Sequence, residues 1–346
     1  MAERVSDEAP IYRIGADENG LGARLGPLTV TAVLAEVSGR GTRLLSRRLP
    51  QTIRADLDDS KALVSCHDVS LGEAWARGLF EREHPGVELG SPDALFAALR
   101  RVDEKSLSEH CPSSTRAQCW SLGDERFEAS EEQLDRVRGH LDTLEKRGVQ
   151  LRFARTGVVC TGSLNQLKSA GINRFGADLH EMERLVLDLR ARVPANVWAT
   201  CGKVGGMAQY PKFFGPLGGH LHTVLAEGAA ESSYLFPQVG TLRFVRDADA
   251  SDPLVMLASL IGKYFRELLM RRIALYYRDV LGTAADEFVI PSGYHDPVTT
   301  RFVDETRKAR KRLSIVTSCF ERSKDEPVRA EKAKKQPRED KQVALF

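Results

Sequence analysis

The polar and apolar positions alternate imperfectly over residues 11–18 (I-Y-R-I-G-A-D-E), the pattern of a half-buried strand. Asn19-Gly20, extended by Gly22 and Gly26, then supplies a turn. Residues 28–37 (L-T-V-T-A-V-L-A-E-V) are β-branched and almost wholly apolar, so a second, mostly buried strand follows, antiparallel to the first. A further strand is expected near 42–48, and a helix start at Asp58-Asp59-Ser60-Lys61. Between 66 and 150 the texture changes to helical patches (71–83, 93–106, 131–147) divided by Pro- and Gly-marked turns, with an aperiodic polar stretch at 107–130. Strand character returns at 151–160. Helical spacing occupies 175–192, and strands are expected at 196–201 and 240–246. Asp252 and Pro253 form an N-cap and first-turn pair ahead of the long apolar run 253–278, which reads as a major buried helix. Ala258, Ser259 and Gly262 would let another backbone come close to it.

The expected organisation is an α/β core built from 11–65 and 151–322, a helical insertion at 66–150, and a tail at 323–346 that is disordered by its composition. The 346 residues are 42% hydrophobic and 28% charged, an ordinary globular balance with no apolar run long enough to span a bilayer. The opening residues lack the apolar core of a signal peptide, so a cytoplasmic location is expected. A net charge of +2 implies no nucleic-acid partner by itself, so such a partner must be argued from local charge. The six cysteines contain no C-x-x-C pair and read as reduced thiols. A zinc site drawn from Cys66, His67, His110, Cys111 and Cys119 would match no common zinc spacing.

Two features stand out as chemistry. Asp17 and Glu18 are adjacent carboxylates where a strand bends into a glycine turn, the one place where neighbours on a strand can serve one site. Asp249 lies between an apolar strand and the most apolar helix, where burial disfavours a carboxylate unless it is paired or holds a cation. Lys61 and Lys263 could each reach a phosphate. The dense cluster Arg307, Lys308, Arg310, Lys311 and Arg312 would suit a nucleic-acid backbone, or be a solvated helix face.

These segments together resemble the type 2 ribonucleases H (ribonuclease HII/HIII). Gly15-Ala-Asp-Glu-Asn-Gly-Leu-Gly22 with Gly26-Pro27 is similar to the family's G-x-D-E-x-G-R-G…G-P opening, and Asp59-Ser60-Lys61 to its D-S-K. Asp249 and Pro253 with Leu257-Ala-Ser-Leu-Ile-Gly-Lys263 resemble its D-x-x-x-P…A-A-S-I-L-A-K block. Gly293-Tyr294 resembles its late G-Y, and Asn173 with the following helix its central Asn-bearing helix. The resemblance implies a ribonuclease H-like mixed sheet with flanking helices, and a nuclease that cleaves RNA in RNA–DNA hybrids or ribonucleotides embedded in DNA. It also implies two divalent metals, Mg²⁺ or Mn²⁺, held by four carboxylates, of which Asp17, Glu18 and Asp249 are three. Gly20, Leu21, Gly22 and Tyr294 would then read the ribose 2′-OH.

This chain departs from that pattern in two places. The third acid should end the strand 196–201, where the sequence has Cys201 or Gly202, and Glu231 or Asp247 would have to replace it in space. Leu21 stands where the family has arginine. A degenerate acid set leaves open a hybrid-binding protein with impaired catalysis. Finally, Gln342-Val-Ala-Leu-Phe346 resembles the pentapeptide that binds the bacterial sliding clamp, and Gln342, Leu345 and Phe346 would be its anchors on a charged tether.

Overall fold

A computed structural model describes residues 10–121 and 125–324. Seven strands form one mixed sheet in the order β3-β2-β1-β4-β7-β6-β5. They are β1 (Ile11–Asn19), β2 (Leu28–Val37), β3 (Val149–Val159), β4 (Val197–Gly202), β5 (Thr223–Glu227), β6 (Glu231–Phe236) and β7 (Gly240–Val245). As expected, β1 and β2 are antiparallel, with Asp17 opposite Thr31. β1, β4 and β7 run parallel, so their C-terminal ends lie together, Ala16 beside Cys201 and Gly202 beside Val245. The α/β architecture with helices on the sheet's faces is therefore as the sequence indicates.

Each face carries its own buried cluster. On one face the long helix Pro253–Leu281 crosses β1 and β2, burying Leu257, Ile261 and Phe265 with Val33 and Ala35. On the other, the helix Arg174–Arg190 packs Leu179, Met182 and Leu185 against Ile14, Ala16 and Val30. Asn173 caps that helix, accepting the Gly176 amide at 3.0 Å. The Asp252–Pro253 pair starts the long helix as the sequence predicts, Asp252 accepting the Leu254 amide at 2.9 Å. The close approach foreseen at its small residues is used by β1 and β2. A Cβ on Gly262 would meet Thr31 Oγ1 at 2.8 Å, and Asn19 Nδ2 donates to the Ser259 carbonyl at 3.1 Å.

The 66–150 segment is largely helical. Its helices Ser70–Glu83 and Glu131–Lys146 pack on β3, and Trp75, Phe96 and Leu141 join the same buried cluster as the long helix. The polar stretch 107–130 contains a helix, Ser113–Trp120, anchored by Gln118, which donates to the Cys319 carbonyl and accepts from the Tyr277 hydroxyl.

One expectation needs correction. Residues 42–48 are not a strand. Gly39–Leu45 is a helix capped by Ser38, and a Cβ on Gly41 would collide with the Gly148 carbonyl, so the segment is fixed by a backbone contact that leaves no periodicity. The hairpin β5–β6 gives little sequence signal because all of β5 is exposed. The cysteine–histidine grouping is not assembled. Cys66 lies near Glu267 and Arg271, whereas Cys111 and Cys119 lie near Cys160 and Cys319. The anchors Gln342, Leu345 and Phe346 lie outside the described residues.

Candidate functional site

The C-terminal ends of β1 and β4 open into a cleft of about 290 Å³. Into it the fold brings Asp17 and Glu18 from β1, Gly20, Leu21 and Gly22 from the turn, and Ser60 and Lys61 from the short helix Ser60–Leu63. Asp249 precedes the long helix, which contributes Ser259 and Lys263, and Tyr294 comes from a late loop. The candidate positions read from the sequence thus converge, although they are spread over nearly 280 residues.

The turn requires its glycines. Gly20 has φ +87°, and a Cβ there would meet Arg266 Nε at 2.6 Å. Gly293, at φ +81°, accepts the Arg24 and Leu25 amides at 2.8 and 2.9 Å, which ties the turn to the loop that carries Tyr294. Arg266 is fully buried. Its guanidinium lies 4.3 Å from the centroid of the Tyr294 ring and donates to the Ser292 carbonyl at 2.8 Å, while Glu267 balances its charge at 2.6 Å. From the other side Arg322 donates to the Gly20 carbonyl at 2.6 Å and to the Gly26 carbonyl at 2.8 and 3.1 Å. Arg174 donates to the Leu21 carbonyl at 3.3 Å. With Leu21 in place of arginine, the turn offers backbone groups, and the arginines that hold it come from elsewhere in the chain.

The carboxylates are crowded. Asp17 is 7% exposed, and its carboxyl is pushed well above the usual range by burial first and then by the Glu18 charge. Asp249 adds to this, while a hydrogen bond from Ser259 opposes it. Glu18 is pushed up to about 8, again by burial first and then by Asp178. Burial lowers the Lys263 ammonium, so this lysine is a weaker cation than one in water. Cys201 is buried on the helix side of β4 and does not reach the cleft opening, whereas Gly202 lines it. A Cβ on Gly202 would lie under 3.0 Å from Asp17 Oδ1 and 3.5 Å from Glu18 Oε2. The space of a side chain at 202 is thus occupied by the Asp17 carboxylate.

The two proposed spatial substitutes fare differently. Glu231 is held by Arg243 in a two-point ion pair at 2.8 and 2.9 Å, which lowers its pKa. Asp247 lines the cleft, with a left-handed backbone at φ 52°.

Sequence reasoning missed three residues here. Two are Arg266 and Arg322. The third is Asp178, which is 0% exposed, with neither carboxylate oxygen finding a hydrogen-bond partner among the described residues. A readable signal existed for Asp178, because it falls on the buried stripe of its helix with Met182, Leu185 and Leu189.

Next to the cleft lies a second depression, contiguous with the turn, where Lys168, Arg174, Arg322 and Lys324 join the ion pair Arg24–Glu321 and His295. By contrast, in the helix Arg307–Arg312, Arg310 folds over the Phe320 ring at 3.9 Å, leaving Arg307, Lys308, Lys311 and Arg312 exposed.

The donors of the cleft are hard oxygens, which suit Mg²⁺ or Mn²⁺. Among the described residues no group of three or more His, Cys, Asp or Glu side chains is arranged to hold a metal ion, so there is no closed protein cage. Mg²⁺ typically keeps several waters and uses only one or two carboxylates, and the adjacent Asp17 and Glu18 carboxyls lining the cleft suit that hydrated mode.

No helix of the described residues is long and apolar enough to cross a membrane. No family model matches the chain, and no curated protein matches it. Solved structures are similar over most of its length. The RNase HII of a PCNA:RNase HII complex from Archaeoglobus fulgidus is 15% identical at TM-score 0.39, covering 92% of this chain and 98% of that one. Bst RNase HIII in complex with Mn²⁺ is 13% identical at TM-score 0.43, covering 92% of this chain and 68% of that one. The ribonuclease H2 from Pyrococcus horikoshii OT3 is 14% identical at TM-score 0.38, covering 90% of this chain and 92% of that one.

Proposed function

We propose that this chain is a divalent-cation-dependent endoribonuclease acting on RNA in RNA–DNA hybrids or on ribonucleotides embedded in duplex DNA. One observation carries the reading: Asp17, Glu18, Lys61, Asp249, Lys263 and Tyr294, from five separate segments, line one cleft at the ends of parallel strands. In this reading Asp17 and Glu18, with Asp249 beside them, hold Mg²⁺ or Mn²⁺. When bound, such a cation supplies Lewis-acid stabilisation of a phosphodiester and a more acidic water. Lys61 and Lys263 face the scissile phosphate. The backbone of Gly20, Leu21 and Gly22 and the Tyr294 hydroxyl meet the ribose 2′-OH, the group that separates RNA from DNA. The basic depression beside the turn takes the continuing phosphate backbone. The tail residues Gln342, Leu345 and Phe346 dock on the bacterial sliding clamp and hold the enzyme near DNA.

A second reading, a hybrid-binding protein without turnover, is favoured by Gly202, which leaves β4 without an acid at the cleft. Purified protein and a duplex bearing one ribonucleotide distinguish the two. Cleavage that needs Mg²⁺ or Mn²⁺ and disappears in Asp17→Asn supports the nuclease. Tight binding without cleavage in either metal supports the second reading.

A further inference from the structure

The surroundings of Asp178 leave its carboxylate without compensation among the described residues. It sits in the first turns of the helix Arg174–Arg190, flanked by the buried Ala177 and Leu179, and is itself 0% exposed. Among the described residues neither oxygen has a hydrogen-bond partner. Burying an unpaired carboxylate is strongly unfavourable, and even the protonated form leaves a donor and an acceptor unmet. Among the described residues the charge that bears on Asp178 is that of Asp17, another acid, and no cation offsets it. Asp178 is in turn the foremost charge acting on Glu18. Its helix packs on the face of the sheet opposite the long helix, so Asp178 approaches the end of β1 from one side while Ser259 and Asp249 approach from the other.

Three buried or half-buried acids that repel one another, with one lacking any partner, form an arrangement that a bound divalent cation would relieve. β4 contributes no carboxylate, and the side-chain space at Gly202 is taken by Asp17 Oδ1. We propose that Asp178 is a further carboxylate of the cation site, completing from the helix side the donor set that β4 leaves open at Gly202. This rests on the reading of Asp17 and Glu18 as cation-binding. Asp178 acts either as a direct ligand or through a metal-bound water, and both make cation affinity depend on it.

The test is calorimetric titration of the full chain with Mn²⁺ alone, comparing the unaltered protein with Asp17→Asn, Asp178→Asn and Asp178→Ser. Asn keeps the shape of the side chain without its charge, and Ser is the second variant should Asn not fold. The expected result is a Mn²⁺ affinity at least ~10-fold weaker in the Asp178 variants. Their metal-free melting temperature should be unchanged or higher, because a partnerless acid has been removed from the core. Mn²⁺ binding within about twofold of the unaltered protein in a folded Asp178 variant, with binding lost in Asp17→Asn, overturns this inference and leaves the function standing. No Mn²⁺ binding by the unaltered protein overturns both.

Discussion

Substituting Gly202 by alanine adds a single methyl at the point where β4 meets the acids. The Gly202 φ lies outside the left-handed region, so alanine meets no backbone penalty and the effect isolates one contact. The new Cβ falls under 3.0 Å from Asp17 Oδ1, and ordinary contact begins near 3.4 Å. The carboxylate must therefore retreat by about 1 Å. Asp17 is short, buried and bonded to Ser259, so it has little room to yield. Overfilling of this kind costs about 1–3 kcal/mol. A displacement of ~1 Å in a reacting group costs on the order of 10²-fold in rate. Urea denaturation reads the first quantity and metal-dependent cleavage of a ribonucleotide-bearing duplex the second. Wild-type stability together with wild-type turnover in Gly202→Ala would refute the claim that Asp17 fills this space and works from it. The same contact predicts that Gly202→Asp, which would place an acid at the strand end, is destabilised rather than improved.

Replacing Arg322 by methionine removes three hydrogen bonds to the Gly20 and Gly26 carbonyls, which among the described residues retain the Ala23 amide and the Thr161 hydroxyl as partners. A loss of about 2–4 kcal/mol is expected in chemical denaturation, with faster amide exchange across residues 20–26. Glu183 is fully buried and accepts the Gly215 and Leu217 amides, yet burial raises its pKa to about 7. The folded state therefore holds this proton more tightly than the unfolded chain, and stability declines as pH rises from about 4.5 to about 7, by on the order of 3 kcal/mol. Glu183→Gln should remove that part of the pH dependence in melting curves taken across this window. Deleting residues 342–346 should abolish binding to the sliding clamp in surface plasmon resonance while leaving cleavage of free substrate intact.

The elements that frame the cleft were legible in the sequence because their signals are local. The alternation of 11–18, the apolar run of 28–37 and the Asp252–Pro253 start each follow from side-chain period or cap chemistry. Adjacent Asp17 and Glu18 were recognisable because a glycine turn follows them. What escaped depends on partners distant in sequence. The helix Gly39–Leu45 is set by Gly148, more than 100 residues away, and β5 lies at an exposed sheet edge with no buried face to impose alternation. Arg266 and Arg322 read as ordinary cations until the fold places them against the carbonyls of the turn and the Tyr294 loop. Asp178 was hidden in a helix that buries Glu181 and Glu183 as well as its apolar residues, and its neighbours at the end of β1 lie about 160 positions earlier.

If the cleft at Asp17 hydrolyses RNA linkages with a divalent cation, the purified chain will cut an end-labelled duplex containing one ribonucleotide. The incubation is run in Mg²⁺ and separately in Mn²⁺, beside Asp17→Asn. The expected result is a single cut at the ribonucleotide in at least one metal, no cut in chelator, and none in Asp17→Asn. Equal cleavage by Asp17→Asn, or no cleavage by the unaltered chain in either metal, would contradict it.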